Sequence, residues 1–390
     1  MTMQAARGTA DAAPRATAKF ARRRFSLPSV APLASRALGI AEALATPHGV
    51  DRYLELVNPM LTVREMRAEV TDVRHGSHDS TTLTLKPTRQ WKGFQAGQFI
   101  QISLDIDGVR RTRCYSPACS QYRSDGRIEL TIKAHPYGLV SNYLYANATP
   151  GMVLGLAQAD GVFTMPTPRP DKIVLLSGGS GVTPVMSMLR TLCDEGYAGA
   201  VVFLHYAFTE SHVAYLDELR QLEAAHDNVR VVIAYTEQET GGDLHGLFHT
   251  GHLSDAAPWY AEAQTYLCGP PGLMKSIRSH FGAHKLGDRL HSEDFAPTPV
   301  VVDASQVTGD LSFARTGTTA ANTGSTLLEQ AEAAGLAPEH GCRMGICFSC
   351  TQVKTRGSVR NINTGDVNND PDCEVQLCIN VPVGDVELDI

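Results

Sequence analysis

Apolar and polar positions alternate in short runs along residues 60–166. "AEVTDVR", "TTLTLKP", "QFIQISLDI" and "RIELTIKAH" are β-branched stretches parted by turn residues, the pattern of an antiparallel β-barrel domain. From Asp171 the period changes. "KIVLLSGG", "AVVFLHYA", "VRVVIAYT" and "TYLCGPPG" read as buried strands, interleaved with the helical spacing of "TPVMSMLRTLCDE" and "YLDELRQLEAA", which predicts a doubly wound α/β domain over 167–297. Residues 298–390 return to short strands around one helix, "STLLEQAEAAG", expected to start at Ser325 and stop at Gly335, an α+β unit. Residues 1–30 show no periodic apolar face and read as a disordered leader; "LASRALGIAEAL" and "VDRYLELV" add helical spacing, so 1–59 is taken as leader plus helical extension.

Composition supports several cores in one chain. At 390 residues and 43% apolar content, the protein exceeds what a single core normally supports. No run of about 18 apolar residues occurs, so no transmembrane segment is expected. The basic "KFARRRFSLPSV", broken by Pro28, lacks a signal core, and a cytoplasmic location is expected. Charge is uneven: residues 1–50 carry seven Lys/Arg against two Asp/Glu, net +5, so the whole-chain −7 leaves −12 for the rest. A basic head of this kind either packs on the body or lies peripherally at the anionic inner membrane face; packing is the simpler expectation. No nucleic-acid motif or basic stripe accompanies it.

Nine cysteines in a reducing compartment argue against a disulfide framework and for metal or redox chemistry. Three of them, Cys342, Cys347 and Cys350, fall within nine residues, and Cys378 follows in "VQLCINVP". This C-x4-C-x2-C…C spacing is that of plant-type 2Fe-2S ligation. A structural zinc site, the competing reading, usually draws two Cys-x2-Cys pairs or Cys and His pairs, and only Cys347 and Cys350 are so spaced. Gly341 and Gly345 suit a loop wrapped around a cluster, with N–H groups turned to sulfur. From about Val300 to Ile390 the chain resembles a plant-type ferredoxin, which implies a β-grasp fold. Cys373 is a spare thiol that could compete as ligand.

A cluster takes single electrons, and "RTRCYSPACS" suggests their source. Arg113-Cys114-Tyr115-Ser116 resembles the R-x-Y-S flavin motif of the ferredoxin–NADP reductase superfamily, in which a guanidinium meets phosphate, an aromatic ring stacks on the flavin and a hydroxyl bonds near its N5. Gly138 and Ser141 match the superfamily's G-x-x-S, opening a short helix suited to a pyrophosphate, so FAD is expected rather than FMN. The resemblance also implies that Lys133 and Val140 border the cofactor.

"LLSGGSGVTPVMSML" places Gly178, Gly179 and Gly181 after a strand, with Thr183 and Pro184 opening a helix, a phosphate turn of the G-G-[ST]-G-[IV]-[AT]-P form carried by the same superfamily. "YLCGPPG" matches its C-G-P motif, which by resemblance sets Cys268, Gly269 and Pro270 beside the nicotinamide; "HSEDF" matches its E-x-F, giving Glu293 and Phe295 near the flavin. Thr183 and Cys268 are expected to shape the nicotinamide side of the reaction, and Ser116 and Glu293 the flavin side. His205, His212 and His245 fall in no ligand spacing and read as structural or surface residues.

The order of flavin barrel, nicotinamide domain and ferredoxin resembles the phthalate dioxygenase reductase group and the NADH reductases of hybrid-cluster proteins. The lead-in "DRYLELVNPMLTVREMRAEV" and the loop "GCRMGICFSC" resemble bacterial oxidoreductases that feed membrane fatty-acyl desaturases. The implied activity is an NAD(P)H-dependent reductase passing electrons through FAD and a 2Fe-2S cluster to a partner oxygenase or desaturase. A ring-hydroxylating dioxygenase or hybrid-cluster protein is an alternative acceptor, and a non-catalytic flavin/cluster sensor or a subunit of a larger complex is a rival of another kind. The ferredoxin segment is acidic, five Lys/Arg against twelve Asp/Glu over 298–390, and suits a basic partner. Glu210 and Asp243 stand where a 2′-phosphate would need cations, which leans the donor toward NADH over NADPH, with a ribose hydroxyl as the group either carboxylate would meet.

Overall fold

The computed structural model describes residues 50–76, 79–135, 138–295, 307–341, 343, 345 and 348–390. The basic leader, the helical spacing within 31–49 and two of the four expected cluster thiolates, Cys342 and Cys347, lie outside these residues. At the start of the described chain, Val50–Leu54 forms a single helical turn.

The alternating runs of the first segment form six antiparallel strands: β1 (Arg67–His75), β2 (Ser80–Pro87), β3 (Ile100–Ile106), β4 (Val109–Tyr115), β5 (Ile128–Lys133) and β6 (Val153–Leu156). They pair in the order β4-β3-β6-β1-β2-β5 and curl into a half-barrel. Its inward positions, among them Val70, Leu83, Ile102, Leu130 and Leu154, are fully buried. Helix α1 (Leu139–Asn147) adds Val140 and Leu144 to this core.

The second segment gives an all-parallel sheet of β7 (Lys172–Gly178), β8 (Ala200–Ala207), β9 (Val229–Tyr235), β10 (Leu244–His245), β11 (Gln264–Gly269) and β12 (Leu290–Asp294), ordered β10-β9-β8-β7-β11-β12. The chain turns from one direction of strand addition to the other between β7 and β11. That switch opens a crevice at the carboxyl ends of these two strands, where α/β sheets bind ligands. One apolar cluster packs α2 (Val182–Asp194) and α3 (Leu216–Ala225) on one face; a second packs α4 (Thr250–Ala256) and α5 (Pro271–Ala283) on the other. Tyr215, expected to lie inside α3, instead caps it in the left-handed region at φ 63°.

The third segment is a mixed sheet, β14-β13-β18-β15-β16, with β17 also on β15: β13 (Asp310–Phe313), β14 (Thr318–Ala321), β15 (Thr351–Asn361), β16 (Val367–Asn368), β17 (Cys373–Gln376) and β18 (Asn380–Leu388). Helix α6 (Leu327–Ala333) covers it in β-grasp fashion. The helix begins one residue later than expected. Thr326, not Ser325, is the N-cap, because only Thr326 stands three residues before Glu329 and completes a reciprocal capping box with it.

Candidate active site

The ends of β4, β5, α2 and β12 converge on a cavity of about 220 Å³ whose wall includes Phe99, Cys114, Tyr115, Ser116, Lys133, Thr183, Glu293 and Phe295. Residues from three separate motifs thus meet in one place. A narrower crevice adjoins it through Lys133, Ser180 and Thr183, and adds Gly179 and His212.

Two atoms in this site are sealed from solvent and carry no hydrogen-bond partner: Ser116 Oγ and Glu293 Oε2. Buried polar atoms are rarely left so, and both residues line the cavity, which suits a ligand that carries polar groups. Burial is the main cause that pushes the Glu293 carboxyl up to about 8, with the adjacent Asp294 charge adding to it. Burial likewise raises the Tyr115 phenol. At neutral pH Glu293 is a neutral hydrogen-bond donor.

The phosphate turn is built by close approach. A 3-10 turn, Gly179–Gly181, runs directly into α2, so Thr183 and Pro184 lie in the first turn of the helix and not at its opening residue, which is Val182. A Cβ on Gly181 would stand 2.2 Å from the Cys268 carbonyl oxygen, and one on Gly178 would strike Leu273 and Pro270. The turn therefore lies flush against the Cys268-Gly269-Pro270 segment. Gly179 holds φ 53°, a region open to glycine. Thr183 Oγ1 donates to Ser180 O at 3.3 Å and tightens the turn.

Several expected residues are placed elsewhere. Cys268 is wholly buried within the sheet–helix core, and burial holds its thiol well above the ordinary range, so its side chain does not reach the cavity. Val140 is sealed in the barrel core, leaving only its backbone to face a ligand. Ser141 is turned into its own helix start: its hydroxyl donates to Gly138 O and accepts from His135 N–H, and a Cβ on Gly138 would collide with it. Asp243 is tied into the fold, since Oδ2 accepts from Arg220 at 2.7 Å and from the Ile233 N–H at 2.8 Å, while the residue stays exposed. Sequence spacing gave no sign of this pairing, nor of Phe99 in the cavity wall.

In the ferredoxin segment Cys350 and Cys378 are both buried, and the Leu377 N–H donates to Cys350 O at 3.1 Å, which brings the two thiols to one end of β17. Cys373 opens the other end of that strand, roughly 10 Å away at the usual rise per residue, and its thiol bonds to Asp370 O and Asn368 Oδ1. Arg343, Gly345 and Phe348 all take φ between 55° and 81°. Two non-glycine residues held in the left-handed region beside two buried cysteines fit a cluster held there.

The family profiles match in the same order. Residues 67–164 match the oxidoreductase FAD-binding domain, 175–279 the oxidoreductase NAD-binding domain, and 313–379 the 2Fe-2S iron-sulfur cluster binding domain. An NADPH oxidoreductase of Mycobacterium tuberculosis is 37% identical over 90% of this chain and 91% of its own. The chain belongs to the ferredoxin–NADP reductase superfamily, in the branch that carries a C-terminal 2Fe-2S ferredoxin domain. It is accordingly an FAD- and 2Fe-2S-containing NAD(P)H oxidoreductase. The glycine betaine monooxygenase reductase subunit of Pseudomonas aeruginosa is 30% identical over 76% of this chain and 87% of its own. Among solved structures, phthalate dioxygenase reductase shares the fold with a TM-score of 0.55 at 20% identity, covering 83% of this chain and 97% of that one. Among the described residues no helix is long and apolar enough to cross a membrane.

Proposed function

We propose that this oxidoreductase is the reductase component of an oxygenase system, taking a hydride from NAD(P)H at the Tyr115–Thr183–Glu293 cavity and delivering electrons singly to a partner oxygenase. The observation that carries the reading is the single cavity walled jointly by flavin-motif and phosphate-turn residues, in which Ser116 and Glu293 each keep a buried side-chain oxygen without a hydrogen-bond partner. When bound, the flavin supplies the conversion of a two-electron donor into single electrons, and the cluster passes them outward.

The protein's part is alignment. Tyr115 would offer an aromatic wall for a planar ring, and Ser116 and Glu293 would supply polar groups beside it. The turn at Gly178–Gly181, the N-terminus of α2 and the Lys133 ammonium accept the dinucleotide phosphates. Cys268 acts through its carbonyl, which sets the depth of the turn. Cys342, Cys347, Cys350 and Cys378 hold the cluster. Relatives named as reductases of glycine betaine monooxygenase and of 3-ketosteroid-9-alpha-monooxygenase support an oxygenase as acceptor.

A membrane fatty-acyl desaturase is the second reading of the acceptor. It rests on the resemblance of the lead-in "DRYLELVNPMLTVREMRAEV" and of the loop "GCRMGICFSC" to bacterial oxidoreductases that feed such desaturases. The basic head, net +5 over residues 1–50, would then hold the enzyme at an anionic membrane face. The test is metal and flavin analysis followed by reconstitution. One FAD and one 2Fe-2S cluster per chain are expected, and four irons or released FMN would sink the cofactor assignment. Coupled turnover with a ring-hydroxylating oxygenase, an alkane hydroxylase and a membrane desaturase then selects the acceptor. Removing residues 1–50 is expected to weaken only the membrane-coupled reaction while ferricyanide reduction persists.

A further inference from the structure

Arg113 and Tyr115 alternate with Cys114 along β4 and so share one face of that strand. Tyr115 turns to the cavity. The Arg113 guanidinium reaches the other way along the chain's topology: Nη1 donates to the Thr112 carbonyl at 2.7 Å and to the Gly341 carbonyl at 3.0 Å. Gly341 is buried, 228 residues away in sequence, and its carbonyl belongs to the peptide that joins it to Cys342. The loop is tied to its own domain as well, since Arg343 pairs with Glu332 on α6. One side chain of the flavin strand therefore holds the peptide next to the first cluster thiolate.

We propose that Arg113 is a positioning residue for electron transfer: beyond any contact with the flavin, it docks the cluster loop on β4 through the Gly341 carbonyl and so fixes the distance the electron crosses. Electron transfer between two sites depends steeply on their separation, and this bond ties the strand that carries the flavin motif to the peptide preceding Cys342. The inference rests on the reading of Cys342 as a cluster ligand.

The experiment compares the full-length wild type with Arg113→Gln and Arg113→Lys. Amide exchange over residues 338–345 is followed with FAD saturating, and flavin-to-cluster electron transfer is measured anaerobically per loaded flavin. Arg113→Gln is expected to accelerate exchange in this loop and slow electron transfer by about tenfold. Arg113→Lys is expected to restore most of the protection, since one donor suffices for one carbonyl. Should Arg113→Gln fail to hold FAD, flavin-free wild type and flavin-free variant are compared by exchange alone, and faster exchange in the variant is still expected. Equal exchange in the matched forms overturns the proposal. Iron and sulfide content separates this from the cluster assignment: a loop released with the cluster intact supports docking, whereas a wild type without a 2Fe-2S cluster rejects the assignment on which it rests.

Discussion

Arg190 on α2 donates to Glu129 on β5 at 2.7 Å, a bond from the nucleotide domain to the flavin barrel. Glu129 is buried and is also met by Arg74 at 2.8 Å, while Arg190 bonds the Ala118 carbonyl and Glu218. Beside them Ser187 donates to Cys119 O and the Gln121 N–H donates to Thr191 Oγ1. The two domains that must present flavin and nicotinamide to one another are thus fixed by a polar interface, which sets the cavity between Tyr115 and Thr183.

Breaking that interface from one side leaves buried charge behind. Arg190→Met takes one cation from Glu129, which keeps Arg74 at 2.8 Å, and is expected to cost about 1–3 kcal/mol, the range for losing a charged hydrogen bond rather than for stranding a bare charge. Chemical denaturation measures it. The double variant Arg190→Met/Glu129→Gln should recover a large part of the loss, and a double variant as unstable as the single would show that the pair is not the source.

Glu293 carries the second prediction. Its carboxyl is neutral below about 8, so the donor it offers at the cavity is present at neutral pH and lost as pH rises through that value. Cofactor reduction by NAD(P)H is expected to fall on an alkaline limb near pH 8 in the flavin-loaded protein, and Glu293→Gln should flatten that limb. The stability sign agrees. A carboxyl raised in the folded state binds its proton more tightly there than in the unfolded chain. It therefore adds stability below the ordinary carboxylate range, and that contribution is lost as pH rises toward 8. Glu293→Gln should gain on the wild type in stability from about pH 4.5 to pH 8; an unchanged difference would place the titration elsewhere.

The cluster ligands give the third. Cys378 lies beside Cys350, and Cys373 lies at the far end of β17 with its thiol bonded to Asp370 O. Cys378→Ser should abolish or strongly alter the visible and EPR spectra of the cluster, and Cys373→Ser should leave them as in the wild type. The reverse pattern would reassign the fourth ligand.

What the sequence disclosed and what it hid divide along physical lines. Strand and helix texture was legible because burial imposes periods of two and of 3.6 on apolar positions, and the three sheets follow those runs closely. The phosphate turn was legible because close approach admits only glycine at Gly181. Residues whose partners lie far along the chain were not. Nothing in "GGDLHG" announces that Asp243 is held by Arg220 on α3, and nothing in "RTRCYS" announces a carbonyl at Gly341. Cys268 shows the converse: the C-G-P motif marks the turn that packs against Gly181, yet the Cys268 side chain is wholly buried in the sheet–helix core.

Asp243 brings the argument to cofactor choice. Two carboxylates after β8 and β9 suggested that a 2′-phosphate would meet like charge, but Asp243 is compensated by the Arg220 guanidinium and shares its oxygen with the Ile233 N–H. Glu210 lies exposed just beyond β8, near the crevice that Lys133 and His212 line, with Glu237 and Glu239 as further exposed acids after β9. Glu210→Arg is therefore expected to raise kcat/KM for NADPH relative to NADH by about tenfold, ~1.4 kcal/mol, by giving a phosphate a forked partner. Asp243→Asn is expected to leave the ratio of the two cofactors nearly unchanged while lowering Tm, because it weakens the tie between α3 and β9. The steady-state ratios at one ionic strength decide between the two carboxylates: a change of cofactor ratio in Asp243→Asn with none in Glu210→Arg would place discrimination at the turn after β9 and not at the end of β8.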